Sequence, residues 1–369
     1  VPENSRTRPE EPLARLGWDE DWDRRWNTFR AAFAGDAHET GHETGHHVLP
    51  ARVVRVHRGA CDVETPLGPQ RVETPAGHLV PEPTTGDWIG LLLDAPDGPR
   101  IVGVVPRRTI LSRASVTGRS VDHQLAANVD TVVVAVGADS RISLGRVERF
   151  LALAWNSGAR PVVVLTKSDL LGEAELGETL ERVRGDSVGV EVLAVSSTDP
   201  VSVEALREHL QGTVVLLGSS GAGKSTLANA LLGEDRFAVG AVRSVDGKGR
   251  HTTVTRELVP LPGGLVLVDT PGLRTLGVAK LGVGLERTFA DLDEIAVDCR
   301  FSDCSHTGEP GCAVLSAIDA GLLDQRRLDS YRRLGREQAW FASRTDHRLA
   351  AERRREWKKV VKANRDRHS

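Results

Sequence analysis

Gly218-Ser219-Ser220-Gly221-Ala222-Gly223-Lys224-Ser225-Thr226 decides the fold. The apolar run Val214–Leu217 precedes it and a helical pattern follows. The glycines free the backbone to turn its N–H groups toward phosphate oxygens, and the N-terminus of the following helix adds a favourable dipole. Lys224 is placed to reach the β- and γ-phosphates, and the Ser225 hydroxyl to ligate Mg²⁺. Strand, glycine loop and helix in this order imply a doubly wound parallel sheet with helices on both faces.

The neighbouring sequence supplies the rest of such a sheet. Thr131–Val136, Pro161–Leu165, Val190–Val195 and Leu265–Val268 read as buried strands, with helices at Leu144–Trp155 and Val203–Leu210. Ligands of these sheets bind at the strand C-termini, so the residues there carry the chemistry. Thr166-Lys167-Ser168-Asp169 follows one strand. A carboxylate at Asp169 can accept from both N1–H and the exocyclic amine of guanine, a donor pair adenine lacks, and the Lys167 stem can cover the base. Ser196 and Ser197 follow the next strand and could meet the base edge. Asp269-Thr-Pro-Gly272 ends another strand, putting a carboxylate near the Mg²⁺ shell and a backbone N–H of Gly272 near the γ-phosphate. Between loop and Asp269 lies Gly249-Arg-His251-Thr252-Thr253, where either threonine could complete the Mg²⁺ shell in the triphosphate state.

The usual order of a G domain is phosphate loop, switch threonine, Asp-x-x-Gly, then guanine motif. Here the guanine motif comes first, so the domain reads as circularly permuted, closed by a short link near Gln211–Thr213. Leu273 follows Gly272 where a water-orienting Gln often sits, and leucine cannot orient water, so unassisted hydrolysis should be slow. His251 is the candidate substitute, titrating near neutral pH; the competing reading is a histidine that only hydrogen-bonds within the switch.

Cys299-x4-Cys304-x-His306-x5-Cys312 offers three thiolates and one imidazole, a closed ligand set suited to one structural Zn²⁺. Cys61 stands apart and reads as a small core residue.

Residues 1–46 read as an extension. Trp18, Trp22, Trp26, Phe29 and Phe33 recur at helical spacing, which predicts one amphipathic helix docked on the protein's own surface or, alternatively, on a partner. A His-rich repeat, His38 to His47, reads as a tether, with metal binding the other possibility. Residues 47–113 show short strands and turns, as in a small β-barrel of OB type. Arg52, Arg55, Arg58, Arg107, Arg108 and Arg113 could face nucleic-acid phosphates there, or be ordinary surface. The G domain then spans 114–284. A helical, zinc-binding segment follows over 285–369, ending in a basic helix that could contact RNA or simply be solvated.

Across 369 residues the formal net charge is -3, so no global basic field recruits nucleic acid and contacts must be local. No apolar run approaches the ~20 residues of a membrane span, and the first residues lack the apolar core of a signal peptide. With the clustered thiols, this points to the cytoplasm.

Taken together, the barrel, Ala127-Asn-Val-Asp130, the four nucleotide motifs in permuted order and the Cys₃His cluster resemble the RsgA (YjeQ) family of small-ribosomal-subunit-dependent GTPases. The resemblance covers nearly all of the chain after residue 46. It implies GTP and GDP bound with Mg²⁺, slow hydrolysis stimulated by the small (30S) subunit, and contact with its rRNA. It further implies a role in late subunit maturation, release of another assembly factor, and a cytoplasmic monomer. A nucleotide-gated RNA clamp, in which turnover is secondary, is the alternative.

Overall fold

The computed structural model describes residues 10–39, 48–74, 77, 81–113, 123–139, 141–239, 256–269 and 281–345. His251, Thr252, Thr253, Gly272, residues 40–47 of the His-rich tract and the chain beyond residue 345 lie outside them.

Two helices open the described chain, α1 (Glu10–Ala14) and α2 (Glu20–Glu39). Five antiparallel strands follow: β1 (Val48–His57), β2 (Ala60–Thr65), β3 (Gly68–Glu73), β4 (Trp88–Leu92) and β5 (Arg100–Val104). They pair in the order β3-β2-β1-β4-β5, with β3 beside β5, so the sheet curls round its own core. Strict alternation on β2 turns Cys61, Val63 and Thr65 inward, against Ala51, Val53, Ile89 and Leu91. Cys61 is thus a core residue, and burial pushes its thiol up to about 11.

A short hairpin, β6 (Ile110–Arg113) and β7 (His123–Ala127), leads into the second unit. Its elements are β8 (Thr131–Gly137), α3 (Leu144–Ser157), β9 (Arg160–Thr166), α4 (Glu173–Gly185), β10 (Glu191–Val195) and α5 (Pro200–Glu208). After these come β11 (Thr213–Gly218), α6 (Lys224–Leu232), β12 (Glu257–Pro260) and β13 (Val266–Asp269). The strand order is β10-β9-β8-β11-β13, all parallel and almost wholly apolar, as expected of strands covered on both faces. The sheet is not purely parallel. β12 adds antiparallel to β13, and Arg55 of β1 pairs with Glu257 of β12, fusing barrel and parallel strands into one continuous sheet. The helices α7 (Gly282–Thr288), α8 (Ala290–Ala296), α9 (Ala313–Asp319) and α10 (Gln325–Thr345) complete the described chain.

The permuted connection is short, from the end of α5 at Glu208 to the start of β11 at Thr213. Gly212 there has φ +54°, and a Cβ would lie 2.1 Å from the Asp130 carboxylate. That carboxylate accepts from the Thr213 N–H at 2.7 Å, so a glycine permits the close approach that seals the seam. Two residues earlier, Asn128 holds a left-handed conformation. Its amide accepts from the Arg108 N–H at 2.9 Å and donates to the Gly86 carbonyl at 3.0 Å, tying barrel to parallel sheet.

The aromatic stripe docks on the protein itself. The Trp18 and Trp88 rings meet edge to face at 4.6 Å, and Trp22 is buried beside them. Phe29 lies across Gly90 and Gly103, and a Cβ at Gly90 would sit 2.6 Å from its ring. Beneath Trp88, Arg52 is only 1% exposed, its guanidinium 4.7 Å from the ring centroid and donating to Thr213 Oγ1 at 3.0 Å. The expected row of barrel arginines facing phosphate is therefore mostly engaged internally. Arg55 pairs with Glu257, Arg107 with the buried Asp87, and Arg108 with Asp19. Arg58 is exposed.

Candidate functional site

Register brings the nucleotide motifs to one edge. Gly218 stands opposite Ala135, Thr166 opposite Gly137, and Val195 opposite Thr166, so the loops after β11, β9 and β10 leave the sheet side by side. Asp269 closes β13, which runs parallel to β11.

Inside the loop, Gly218 passes so close to β8 that a Cβ would sit 2.4 Å from the Ala135 carbonyl. Gly221 and Gly223 take φ +81° and +72°, values that favour glycine. Lys224 opens α6 and folds back across the loop, donating to the Ser219 carbonyl at 2.6 Å and the Gly218 carbonyl at 2.9 Å. Ser220, Gly221 and Ser225 are exposed, so the concave side of the loop opens to solvent. A loop of this shape, with a lysine spanning it and a helix N-terminus below, is an anion cradle.

The guanine motif is attached to this loop. Thr166 is fully buried and donates its hydroxyl to the Ala222 carbonyl at 2.9 Å. That bond holds the motif against the loop. Lys167 takes a left-handed conformation and reaches Asp139 at 2.5 Å, an ion pair absent from the sequence reading. Ser168 and Asp169 lie in a single 3-10 turn, and Asp169 is exposed. On the next loop, the Ser196 hydroxyl meets Thr198 Oγ1 at 2.8 Å and its carbonyl accepts from Ser202 at 2.9 Å. Ser197 remains half-buried at the edge. Thr226 sits in the first turn of α6, beside Ser225.

A second centre lies in the α8–α9 connection. The donor atoms of Cys299, Cys304, His306 and Cys312 all fall within 4.8 Å of one another. His306 aims Nδ1 at the sulfurs, 3.4 Å from Cys312 and 3.7 Å from Cys299. It does so from a left-handed backbone conformation. Burial opposes a thiolate at Cys299, but N–H groups of Val314 and Ala313 and the neighbouring thiols hold its pKa below the usual value. Glu309 fastens the intervening loop, accepting from the N–H groups of Thr307 at 2.7 Å and Ser305 at 3.0 Å. Four convergent donors with thiolate chemistry fit a tetrahedral Zn²⁺.

Sequence reasoning missed the pairs that hold this second centre against α3. Glu148 of α3 is fully buried and accepts from both Arg326 and Arg327 at 3.1 Å. Arg327 also grips Asp291 with two bonds of 2.5 and 2.7 Å. It missed Arg146 as well, whose Nη1 donates to the Ser219 hydroxyl at 2.9 Å. Both sit in the helical Leu144–Trp155 pattern, where nothing local announces a partner so distant in sequence.

Comparison with known proteins agrees with this geometry. The family model described as RsgA GTPase matches residues 104–279. The small ribosomal subunit biogenesis GTPase RsgA of Streptomyces avermitilis is 52% identical over 320 residues, 85% of each chain. The protein of the same name from Opitutus terrae is 43% identical over 338 residues, covering 86% of this chain and 91% of that one. Among solved structures, YjeQ from Thermotoga maritima superposes with a TM-score of 0.58 at 25% identity, over 79% of this chain and 99% of that one. YloQ, described as a circularly permuted GTPase, gives 0.56 at 23% identity over 80% and 97%. A permuted phosphate-loop sheet, an N-terminal barrel, a Cys₃His cluster and this degree of identity lead to one conclusion: the chain belongs to the RsgA family of GTPases.

Proposed function

We propose that this protein is a ribosome-assembly GTPase, hydrolysing GTP to GDP and phosphate slowly alone and faster on the small (30S) ribosomal subunit. The observation that carries the reading is the joining of Asp169's motif to the phosphate loop through Thr166 and Ala222. That bond couples a guanine-selective carboxylate to a triphosphate cradle. The relatives' shared name, small ribosomal subunit biogenesis GTPase, supports a role in making the small subunit. Within that role we place the protein at late maturation and assembly-factor release.

In this reading the loop from Gly218 to Thr226 cradles the phosphates, Lys224 moves from the loop carbonyls to the β- and γ-phosphates, and Ser225 with Asp269 holds Mg²⁺. Asp169 reads the base, Lys167 covers it, and Ser196 and Ser197 border it. Thr252 or Thr253 completes the metal shell, Gly272 senses the γ-phosphate, and His251 orients or deprotonates water. Cys299, Cys304, His306 and Cys312 hold one Zn²⁺, whose contribution is to fold the α8–α9 connection. The barrel, of OB type over 47–113, and the basic end of the 285–369 segment meet rRNA. The G domain spans 114–284 between them. We place the protein in the cytoplasm as a monomer; among the described residues no helix is long and apolar enough to cross a membrane.

Turnover of GTP is measured with purified small subunits, with large subunits, with neither, and with ATP in place of GTP. A rise confined to GTP and small subunits is expected. A flat response to small subunits overturns the ribosomal part, and equal ATP turnover overturns the role of Asp169.

A further inference from the structure

Helix α3 begins beside the phosphate loop and carries a cation in its first turn. Arg146 Nη1 donates to Ser219 Oγ at 2.9 Å, while Lys224 Nζ holds the Ser219 carbonyl at 2.6 Å. Two cations therefore close on one loop residue from two sides. Arg146 is exposed, and among the described residues no carboxylate pairs with it. Its neighbours are treated differently: Arg149 is paired with Glu337 at 2.8 Å and Lys167 with Asp139 at 2.5 Å.

The position is also electrostatically adverse for the helix alone. A helix N-terminus carries partial positive charge, which favours acidic residues there and disfavours basic ones. The first turn of α3 has no acidic residue. Arg333 of α10 adds a third cation: a Cβ on Gly145 would lie 2.5 Å from its guanidinium. Among the described residues, Arg146 thus stands beside a loop built for phosphate without a carboxylate of its own.

We infer that Arg146 is a phosphate ligand supplied in cis. When GTP fills the loop, its guanidinium leaves the Ser219 hydroxyl and donates to the terminal phosphate. As water attacks the γ-phosphorus and the bond to the β–γ bridging oxygen breaks, it faces the charge growing on the transferred phosphoryl oxygens. A donor reserved for that group discriminates GTP from GDP and speeds hydrolysis. The inference rests on the GTPase reading above.

Full-length Arg146→Ala and Arg146→Lys are compared with wild type in three measurements: affinity for fluorescent GDP, affinity for the fluorescent imido analogue of GTP, and single-turnover GTP hydrolysis. For the alanine variant we expect a loss of about 10- to 100-fold in analogue affinity or hydrolysis rate, the scale of one charge-assisted hydrogen bond. GDP affinity stays within about twofold, and lysine restores part of the loss. Equal losses for GDP and analogue would make Arg146 a prop for the loop and overturn the inference, as would no change at all. A wild type that binds neither nucleotide would overturn the GTPase reading itself, and the inference with it.

Discussion

Thr166 carries no charge and meets no solvent, yet two nucleotide motifs depend on its hydroxyl. The bond to the Ala222 carbonyl, 2.9 Å long and fully buried, joins the end of β9 to the phosphate loop. Thr166→Val keeps the shape and removes the donor. Leaving that carbonyl short of its partner should lower stability by about 1–3 kcal/mol and weaken GDP binding, because base and phosphate sites lose their fixed spacing. Denaturant unfolding and a GDP titration check both; an unchanged midpoint with unchanged affinity would show the link to be idle. Asp19 makes a pH-dependent case at the same scale. Burial opposes its charge, but Arg108 and the Trp22 N–H outweigh that and hold its pKa below 3.8. A carboxylate with a depressed folded pKa contributes stability above its unfolded value and loses it as pH falls through the folded one. Docking of α2 should therefore hold down to about pH 3.8 and loosen below it. Tryptophan emission shifting red in that range, and not in an Asp19→Asn variant, is the expected signature, because Trp22 and Trp18 lie at that joint.

Elements differ in how fully the sequence announces them. The phosphate loop, the guanine motif and the Cys₃His cluster are contiguous stretches whose residue types are dictated by local geometry. Gly221 and Gly223 must turn, Lys224 must follow, and Cys312 must return after Gly311 at φ +78°. The strands of the parallel sheet were equally plain, being apolar on both faces. What stayed hidden depends on partners far along the chain. The β-barrel arginines look like a nucleic-acid face until Trp88, Asp87, Glu257 and Asp19 are seen to take them. The antiparallel β12 escaped because a four-residue strand leaves little pattern, and its partners β13 and β1 lie on either side of it in the sheet. The Cys₃His connection lends itself to a direct test at this scale. Between Cys299 and Ala313 it has turns and no regular element, so ligands must replace a core. Purified protein should carry one Zn²⁺ per chain. Cys304→Ser should lose that metal and the protease resistance of this connection, while GDP binding at the phosphate loop persists. Retention of full metal by the serine variant would break the ligand assignment.

At the scale of the whole molecule, α3 is the shared beam. Its residues 146, 148 and 149 face three ways: Arg146 to the phosphate loop, Glu148 to Arg326 and Arg327, and Arg149 to Glu337 of α10. The Glu148 pairs are buried, Glu148 at 0% and Arg327 at 3% exposure, and Arg327 adds Asp291, the Thr288 carbonyl and the face of Phe289. Taking such charges from water is costly, so the network need not stabilise the fold more than an apolar joint would. Removing one member is a different matter, because the others keep their charge without its partner. Arg327→Met should lower unfolding free energy by about 3–5 kcal/mol, read by denaturant titration. Glu148 would retain only Arg326, and Asp291 would lose its bidentate partner. Adding Glu148→Leu and Asp291→Leu to that variant removes the stranded carboxylates, and a large part of the loss should return. If the triple variant also regains GTP turnover on small subunits, the charges serve only to glue the Cys₃His segment to α3. If it regains stability but not stimulated turnover, the polar joint is what carries the state of the nucleotide site to that segment, and a rigid apolar one cannot replace it.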